Sequence, residues 1–136
     1  LAELLAGRPG HVNYEAIPNV VYTHPELACV GLTEEQVKEQ GVPYKVGKFF
    51  FKANGRAKSL AAEEGMAKVI AQAETDRLLG VHIVGVRASD MIAEAVIALE
   101  FQASSEDVAR TCHPHPTRSE AGRQAAMGVE GWTMQA

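Results

Sequence analysis

Residues 66–86 read MAKVIAQAETDRLLGVHIVGV and predict two antiparallel strands joined by a turn. Apolar and β-branched residues dominate both ends of this stretch, at residues 66–73 and 78–86, whereas residues 74–77 are all polar. Three other segments have a similar strand-forming composition, namely residues 20–23, 26–31 and 44–51. Together these segments predict a mostly antiparallel sheet of about four to five strands.

Helices are predicted from their capping residues. The sequence Thr33-Glu34-Glu35-Gln36 is typical of a capping box and opens a short helix that Gly41 and Pro43 end. Three helices are predicted after the sheet: residues 88–102, a helix opened by Ser104 or Ser105 to about residue 111, and one opened by Thr117 or Ser119 to about residue 127. Helices packed on such a sheet define the α+β fold class.

The helix predicted at residues 88–102 has apolar side chains around most of its surface instead of along one stripe. Such a helix needs cover on more than one side. Either the sheet covers one face and a second domain or subunit covers the other, or the helix is buried centrally within this domain.

Composition indicates one globular domain that is soluble. The chain has 136 residues, of which 46% are hydrophobic, and a net charge of −4. This mildly acidic balance argues against nucleic acid as a partner, and no apolar run reaches the roughly 20 residues of a membrane span. We expect a cytoplasmic or mitochondrial-matrix protein, with Cys29 and Cys112 as reduced thiols.

The start of the chain predicts a domain boundary. Residues 1–6 read like the last turns of a helix, which Gly7-Arg8-Pro9-Gly10 ends. We therefore expect residues 1–11 to be the tail of a preceding domain or a linker, residues 12–130 to form the domain, and residues 131–136 to be a C-terminal tail. On this interpretation the chain is part of a longer protein.

The candidate functional residues lie in the run Cys112-His113-Pro114-His115-Pro116-Thr117-Arg118-Ser119-Glu120. A histidine titrates near neutral pH, so His115 can take a proton from a substrate and return it. If a turn folds the chain back, the carboxylate of Glu120 can bond one ring nitrogen and fix the tautomer. This pattern predicts a base and its orienting carboxylate.

Three other readings of this run stay open. Thr117 and Glu120 also fit a capping box, in which Glu120 bonds a backbone N–H, and both roles can coexist. His113 and His115 could belong to a metal site, although zinc needs three or four protein ligands and no familiar ligand spacing is present. His113 taken alone is more typical of a buried, hydrogen-bonded structural histidine. The expected metal content is therefore none.

Four motifs occur in this order along the chain: Tyr22-Thr23-His24-Pro25-Glu26-Leu27-Ala28-Cys29-Val30-Gly31, Tyr44-Lys45-Val46-Gly47-Lys48-Phe49, Asn54-Gly55-Arg56-Ala57-Lys58, and His113-Pro114-His115-Pro116-Thr117-Arg118-Ser119-Glu120. Together they resemble the C-terminal dimerisation domain of dihydrolipoamide dehydrogenases, within the pyridine nucleotide-disulfide oxidoreductase family. The resemblance spans about residues 12–130. Two residues depart from the family pattern: Pro114 stands where Ala is common and Arg118 where Leu is common. A guanidinium at residue 118 would need solvent or a partner carboxylate.

The resemblance implies a role in a two-chain active site. It implies that His115 deprotonates a dihydrolipoyl thiol, that Glu120 orients His115, and that both act at the active site of the partner subunit in a homodimer. It further implies FAD and NAD in the full-length enzyme, neither bound by this fragment, and docking to the acyltransferase core of a 2-oxo acid dehydrogenase complex. Residues 107 and 110 would support the dimer contact, and residues 24 and 26 would be structural.

Two alternatives to this function stay open. The chain could be a non-catalytic dimerisation or docking module, since it contains no Cys-x4-Cys redox pair and no FAD or NAD fingerprint. It could also be the same domain of another flavin disulfide reductase, such as glutathione reductase. The fragment alone is expected to be inactive.

Overall fold

The structure is a computed structural model that describes residues 1–135. Its centre is one five-stranded sheet with the spatial order β1-β2-β5-β4-β3, and every neighbouring pair is antiparallel. The strands are β1 (Asn19–Val21), β2 (Glu26–Gly31), β3 (Tyr44–Phe50), β4 (Met66–Gln72) and β5 (Leu78–Gly85). The predicted α+β class, with helices on a mostly antiparallel sheet, is confirmed.

Six α-helices occur in the described part of the chain. They are α1 (Ala2–Leu5), α2 (Glu34–Glu39), α3 (Gly55–Ser59), α4 (Ala88–Glu100), α5 (Ser105–Arg110) and α6 (Glu120–Val129). Single turns of 3₁₀-helix occur at Tyr14–Ala16 and Phe51–Ala53. Helix α2 has the predicted capping box at Thr33, and Ser104 forms a second one with Asp107 at α5.

The hairpin of β4 and β5 forms the middle of the sheet, as the opening stretch of sequence predicts. Strand β2 joins it in antiparallel pairing from Glu26 opposite Gly85 to Gly31 opposite Gly80. Strand β1 pairs with β2, so residues 20–23 and 26–31 form a hairpin rather than one continuous strand. The edges of the sheet are β1 and β3.

The core lies between one face of the sheet and helices α4, α5 and α6. Along each strand alternate side chains point to this face, and buried Val30, Val69 and Val81 lie on it side by side. Helix α2 lies by the opposite face, where the carboxylate of Glu34 bonds Lys68 and Tyr44. The sheet is therefore covered by three helices on one side and partly covered on the other.

The apolar surface of helix α4 is buried on one side and exposed on the other. Met91, Ile92 and Leu99 are buried against the sheet. Ile97 and Phe101 point away from it, and Phe101 is 80% exposed. The reading in which this helix is buried centrally within the domain is therefore wrong, because no part of residues 1–135 covers one of its sides.

The segment after β3 differs from the sequence prediction. The predicted strand at residues 44–51 ends at Phe50, and a 3₁₀ turn and helix α3 follow. Helix α3 begins there because the side chain of Asn54 accepts a hydrogen bond from the Ala57 N–H and caps the helix. A helix of five residues that contains Gly55 is too short for a periodic signal.

Glu34 gives the fold a pH dependence. Hydrogen bonds from Lys68, Tyr44 and Lys38 hold the pKa of the Glu34 carboxyl at about 2. This folded-state pKa lies below the unfolded value, so the stabilisation is complete above about pH 5 and disappears as the pH falls toward 2. We expect Glu34→Gln to lower Tm by about 2–5 °C at pH 7 and far less near pH 2.

Thermal unfolding by circular dichroism across this pH range checks the prediction. Glu39→Gln, at the exposed end of the same helix, is the matched control and should leave Tm unchanged at both pH values. An equal loss for Glu34→Gln at pH 7 and pH 2 would contradict the assignment.

Gly122 lies inside helix α6 beside open space. A Cβ atom placed on it meets nothing within 4 Å, and its φ is not in the left-handed region. Alanine restricts the unfolded chain and favours the helix, so Gly122→Ala should raise the free energy of unfolding by about 0.5–1 kcal/mol, measured in urea. Gly128 of the same helix is the control, because its Cβ would come 3.4 Å from the Cα of Gly47 and should gain less.

Candidate functional site

The candidate residues lie on the loop between α5 and α6, residues 111–119, here called the histidine loop. The loop turns back on itself because the Thr117 hydroxyl donates to the Pro114 carbonyl at 2.8 Å. The peptide bond between His115 and Pro116 is cis. This path brings the first residue of α6, Glu120, next to His115.

The structure places the two predicted site residues in direct contact. Nδ1 of His115 lies 2.9 Å from Oε1 of Glu120. The second carboxylate oxygen, Oε2, accepts the Thr117 N–H at 2.8 Å. The side chain of His115 is 70% exposed, whereas that of Glu120 is 23% exposed. The carboxylate is thus held in place and the imidazole faces outward.

The capping-box reading is half right. Glu120 does bond the backbone N–H of Thr117, as a capping box requires. The reciprocal bond is missing, because the Thr117 hydroxyl bonds Pro114 and the N-cap residue of α6 is Ser119, which makes no side-chain cap bond. Glu120 therefore serves the loop backbone and the histidine at the same time.

The charge of Glu120 sets the tautomer of His115. Burial by itself would raise the pKa of Glu120, but the hydrogen bonds from Thr117 and His115 outweigh it and hold the pKa below its ordinary value. An ionised carboxylate only accepts, so Nδ1 of His115 carries a proton and donates it to Oε1. In the neutral ring, Nε2 then has a free lone pair that points to the exposed side. This is the arrangement of a general base.

His113 is a buried, hydrogen-bonded histidine. Its Nε2 lies 2.6 Å from Oε1 of Glu94 on α4, and its Nδ1 lies 2.9 Å from the Thr111 carbonyl oxygen. Its side chain is 5% exposed. The pair ties the histidine loop to α4. Sequence analysis did not identify Glu94, because nothing in its local sequence marks it as the partner of a residue on another element.

The surroundings of Arg118 differ from the solvent or partner carboxylate that the sequence predicts. The residue is only 7% exposed, and Nη1 donates to the Ala62 carbonyl oxygen at 2.9 Å; no carboxylate of the described residues pairs with the guanidinium. The guanidinium carbon lies 4.2 Å from the centroid of the Phe51 ring, a cation–π contact. Burial lowers the pKa of Arg118. Within residues 1–135, Nε and Nη2 have no hydrogen-bond partner.

Other residues singled out in the sequence have structural contacts. The Glu26 carboxylate accepts the Ser89 N–H at 2.9 Å at the start of α4, which lowers the pKa of Glu26. Asp107 closes the capping box of α5, and Arg110 pairs with Glu106. Support of a dimer contact by Asp107 and Arg110 stays a prediction.

No group of three or more His, Cys, Asp or Glu side chains in residues 1–135 is close enough to hold a metal ion. Two cavities among these residues measure about 30 and 480 Å³, and neither includes His115 or Glu120 in its lining. No helix among these residues has the length and apolar character needed to cross a membrane.

Comparison with known proteins places this geometry in a family. The family model described as "Pyridine nucleotide-disulphide oxidoreductase, dimerisation domain" matches residues 17–126, most of the chain. The chain belongs to the pyridine nucleotide-disulphide oxidoreductase family. Its dimerisation domain therefore includes all five strands of the sheet and the pair of His115 and Glu120.

Relatives within the pyridine nucleotide-disulphide oxidoreductases are close. Dihydrolipoyl dehydrogenase 3 of Pseudomonas putida is 64% identical over 98% of this chain and 28% of the relative. Dihydrolipoyl dehydrogenase of Trypanosoma brucei brucei is 62% identical over 93% of this chain and 26% of the relative. The mitochondrial dihydrolipoyl dehydrogenase of Pisum sativum is 61% identical over 93% of this chain and 25% of the relative. The chain thus spans about a quarter of the length of these relatives.

A solved structure in the family supports the fold. The HOCl-induced flavoprotein disulfide reductase RclA from Escherichia coli superposes with a TM-score of 0.83 at 26% identity. The match covers 93% of this chain and 30% of RclA. The architecture of the dimerisation domain is therefore shared well beyond the close relatives.

Proposed function

We propose that this chain is the dimerisation domain of a dihydrolipoamide dehydrogenase and that His115 and Glu120 are its acid–base pair. The observation that carries the proposal is the 2.9 Å contact between His115 Nδ1 and Glu120 Oε1, with the imidazole exposed. The identities above 60% to three dihydrolipoyl dehydrogenases support this substrate class. The oxidation of dihydrolipoamide by NAD+ belongs to the full-length enzyme.

The proposed step is a proton transfer to His115. Nε2 accepts the proton of a dihydrolipoyl thiol, and the thiol becomes a thiolate. The thiolate attacks an enzyme disulfide, so that one sulfur–sulfur bond forms, another breaks, and the leaving sulfur departs as a thiolate. In the reverse direction His115 returns its proton to the substrate sulfur.

Glu120 supports both protonation states of His115. It holds the proton on Nδ1 of the neutral ring, which keeps Nε2 available as the acceptor. After proton transfer its negative charge stabilises the imidazolium. The hydrogen bond from Thr117 keeps the carboxylate in this position in both states.

The rest of the proposal concerns the complete enzyme. His115 would serve the active site of a partner subunit in a homodimer, as the name of the family domain suggests. FAD and NAD would be held by other parts of the enzyme. The complete enzyme would dock on the acyltransferase core of a 2-oxo acid dehydrogenase complex. The relatives include bacterial and mitochondrial enzymes, so the bacterial cytoplasm and the mitochondrial matrix are the proposed locations.

A substrate assay on the full-length enzyme tests the function. We expect dihydrolipoamide with NAD+ to be turned over at least about 100-fold more efficiently, in kcat/KM, than glutathione disulfide with NADPH, a difference in transition-state binding of about 3 kcal/mol. The opposite preference would identify a glutathione reductase. Turnover of neither pair by a dimer that contains FAD would favour the non-catalytic docking module.

A further inference from the structure

The histidine loop rests on residues 51–65, here called the support segment. This segment holds the 3₁₀ turn Phe51–Ala53, helix α3 and the loop that leads into β4. It contacts the histidine loop at two consecutive residues, Thr117 and Arg118. Neither contact belongs to the proposed acid–base pair, yet both lie between His115 and Glu120 in the sequence.

Asn54 makes the first of these contacts. It is 2% exposed, and its two side-chain atoms have different partners. Oδ1 accepts the Ala57 N–H at 2.9 Å, and Nδ2 donates to the Thr117 carbonyl oxygen at 3.0 Å. The N–H of Thr117 donates to Glu120, so the backbone of this one residue is held by Asn54 on one side and by Glu120 on the other.

The chemistry of Asn54 exceeds what a helix cap needs. Asp and Ser cap helices as well as Asn does, because capping needs only an oxygen acceptor. A side-chain amide offers an acceptor and a donor on two separate atoms, whereas a carboxylate only accepts and a hydroxyl has a single oxygen for both roles. The second contact comes from Arg118, which is fixed to the same segment by the Ala62 carbonyl oxygen and the Phe51 ring.

We propose that Asn54 is a positioning residue for His115 and Glu120. The inference rests on the proposed function, which it extends to a residue outside the histidine loop. Asn54 holds the carbonyl group of Thr117 in place. The backbone N–H of the same residue holds the Glu120 carboxylate, so Asn54 fixes the part of the loop that positions Glu120. Loss of the Nδ2 donor leaves a buried carbonyl oxygen unpaired, and the loop shifts to find another donor.

The test is Asn54→Asp in the full-length flavoprotein, because aspartate keeps the capping oxygen and lacks the donor. We expect kcat for dihydrolipoamide oxidation to fall about tenfold, since small misplacements of catalytic groups have effects of this size or larger. The acid limb of the pH profile of kcat/KM should move to lower pH, because Glu120 then stabilises the imidazolium less well. Oxidation of NADH by ferricyanide should be unchanged, since it needs no dithiol deprotonation.

Asn54→Ser repeats the test without a new charge, in case the aspartate variant does not fold. Asn13→Asp is the matched control: Asn13 caps the turn at Tyr14–Ala16 by accepting the Glu15 N–H and makes no contact with the histidine loop. Less than a twofold change in dihydrolipoamide oxidation would overturn the proposal. So would an equal fall in both reactions, which would show a structural role only.

His115→Gln measured beside these variants separates the two ideas. If His115→Gln loses dihydrolipoamide oxidation and Asn54→Asp does not, the inference about Asn54 is wrong and the proposed function stands. If His115→Gln keeps this activity, the acid–base role proposed for His115 is wrong.

Discussion

His115→Gln should lower kcat for dihydrolipoamide oxidation by about 10²–10⁴-fold in the full-length enzyme, the range that a positioned general base contributes. Glutamine keeps the polarity of the side chain but cannot accept and release a proton near neutral pH. Because His115 is exposed and its only hydrogen-bond partner found within residues 1–135 is Glu120, the fold should not depend on it. Dimer mass and FAD content should therefore be unchanged.

Steady-state kinetics with dihydrolipoamide and NAD+ measures the fall in kcat, and sedimentation equilibrium measures the mass of the dimer. His24→Gln is the matched control, since His24 is also exposed and also precedes a cis proline, and its activity should stay within about twofold of the wild type. Glu120→Gln should have a smaller effect than His115→Gln, because the base remains. Full activity of His115→Gln would exclude the acid–base role.

Gly47→Ala should lower the free energy of unfolding by about 3 kcal/mol or more, the upper range for overpacking a core. Gly47 lies in the middle of β3 and faces helix α6. A Cβ atom there would overlap the Ala125 carbonyl oxygen and come within 2.8 Å of the Gly128 carbonyl carbon. These are backbone atoms, so no side-chain rotation relieves the overlap, and the helix has to move away from the sheet.

Urea unfolding followed by circular dichroism measures this loss, with Gly55→Ala as the control. A Cβ atom on Gly55 meets nothing within 4 Å, so the unfolding midpoint of Gly55→Ala should not fall below that of the wild type. Because α6 begins with Glu120, we also expect Gly47→Ala to weaken catalysis in the full-length enzyme. A wild-type midpoint for Gly47→Ala would mean that α6 does not pack on β3 as described.

The sequence predicted best what depends on neighbouring residues. The β4–β5 hairpin and the capping box at Thr33 were correct to within a residue or two, because their signals are local. The contact between His115 and Glu120 was also open to prediction, because only five residues separate them. The catalytic role of the pair stays a prediction.

Contacts between distant segments were not predictable in this way. The support segment was missed because α3 is too short for a periodic pattern, and the role of Asn54 depends on a carbonyl group in a loop far along the chain. The partner of Arg118 was predicted wrongly because an aromatic face and a backbone carbonyl, unlike a carboxylate, have no charge that a sequence reveals. The composition of residues 26–31 predicted the strand β2 but not its neighbour in the sheet.

That neighbour has a consequence for biosynthesis. Strand β2 pairs with β5, although β3, β4 and helices α2 and α3 lie between them in the sequence. On a ribosome that adds about 5–20 residues each second, β2 emerges several seconds before β5, and during that interval its inner edge has no strand to pair with. The β4–β5 hairpin can close as soon as it is made, whereas the sheet is complete only when β2 is captured by a strand translated long after it. A nascent chain stalled between β2 and β5 would thus expose an unpaired strand edge to chaperones.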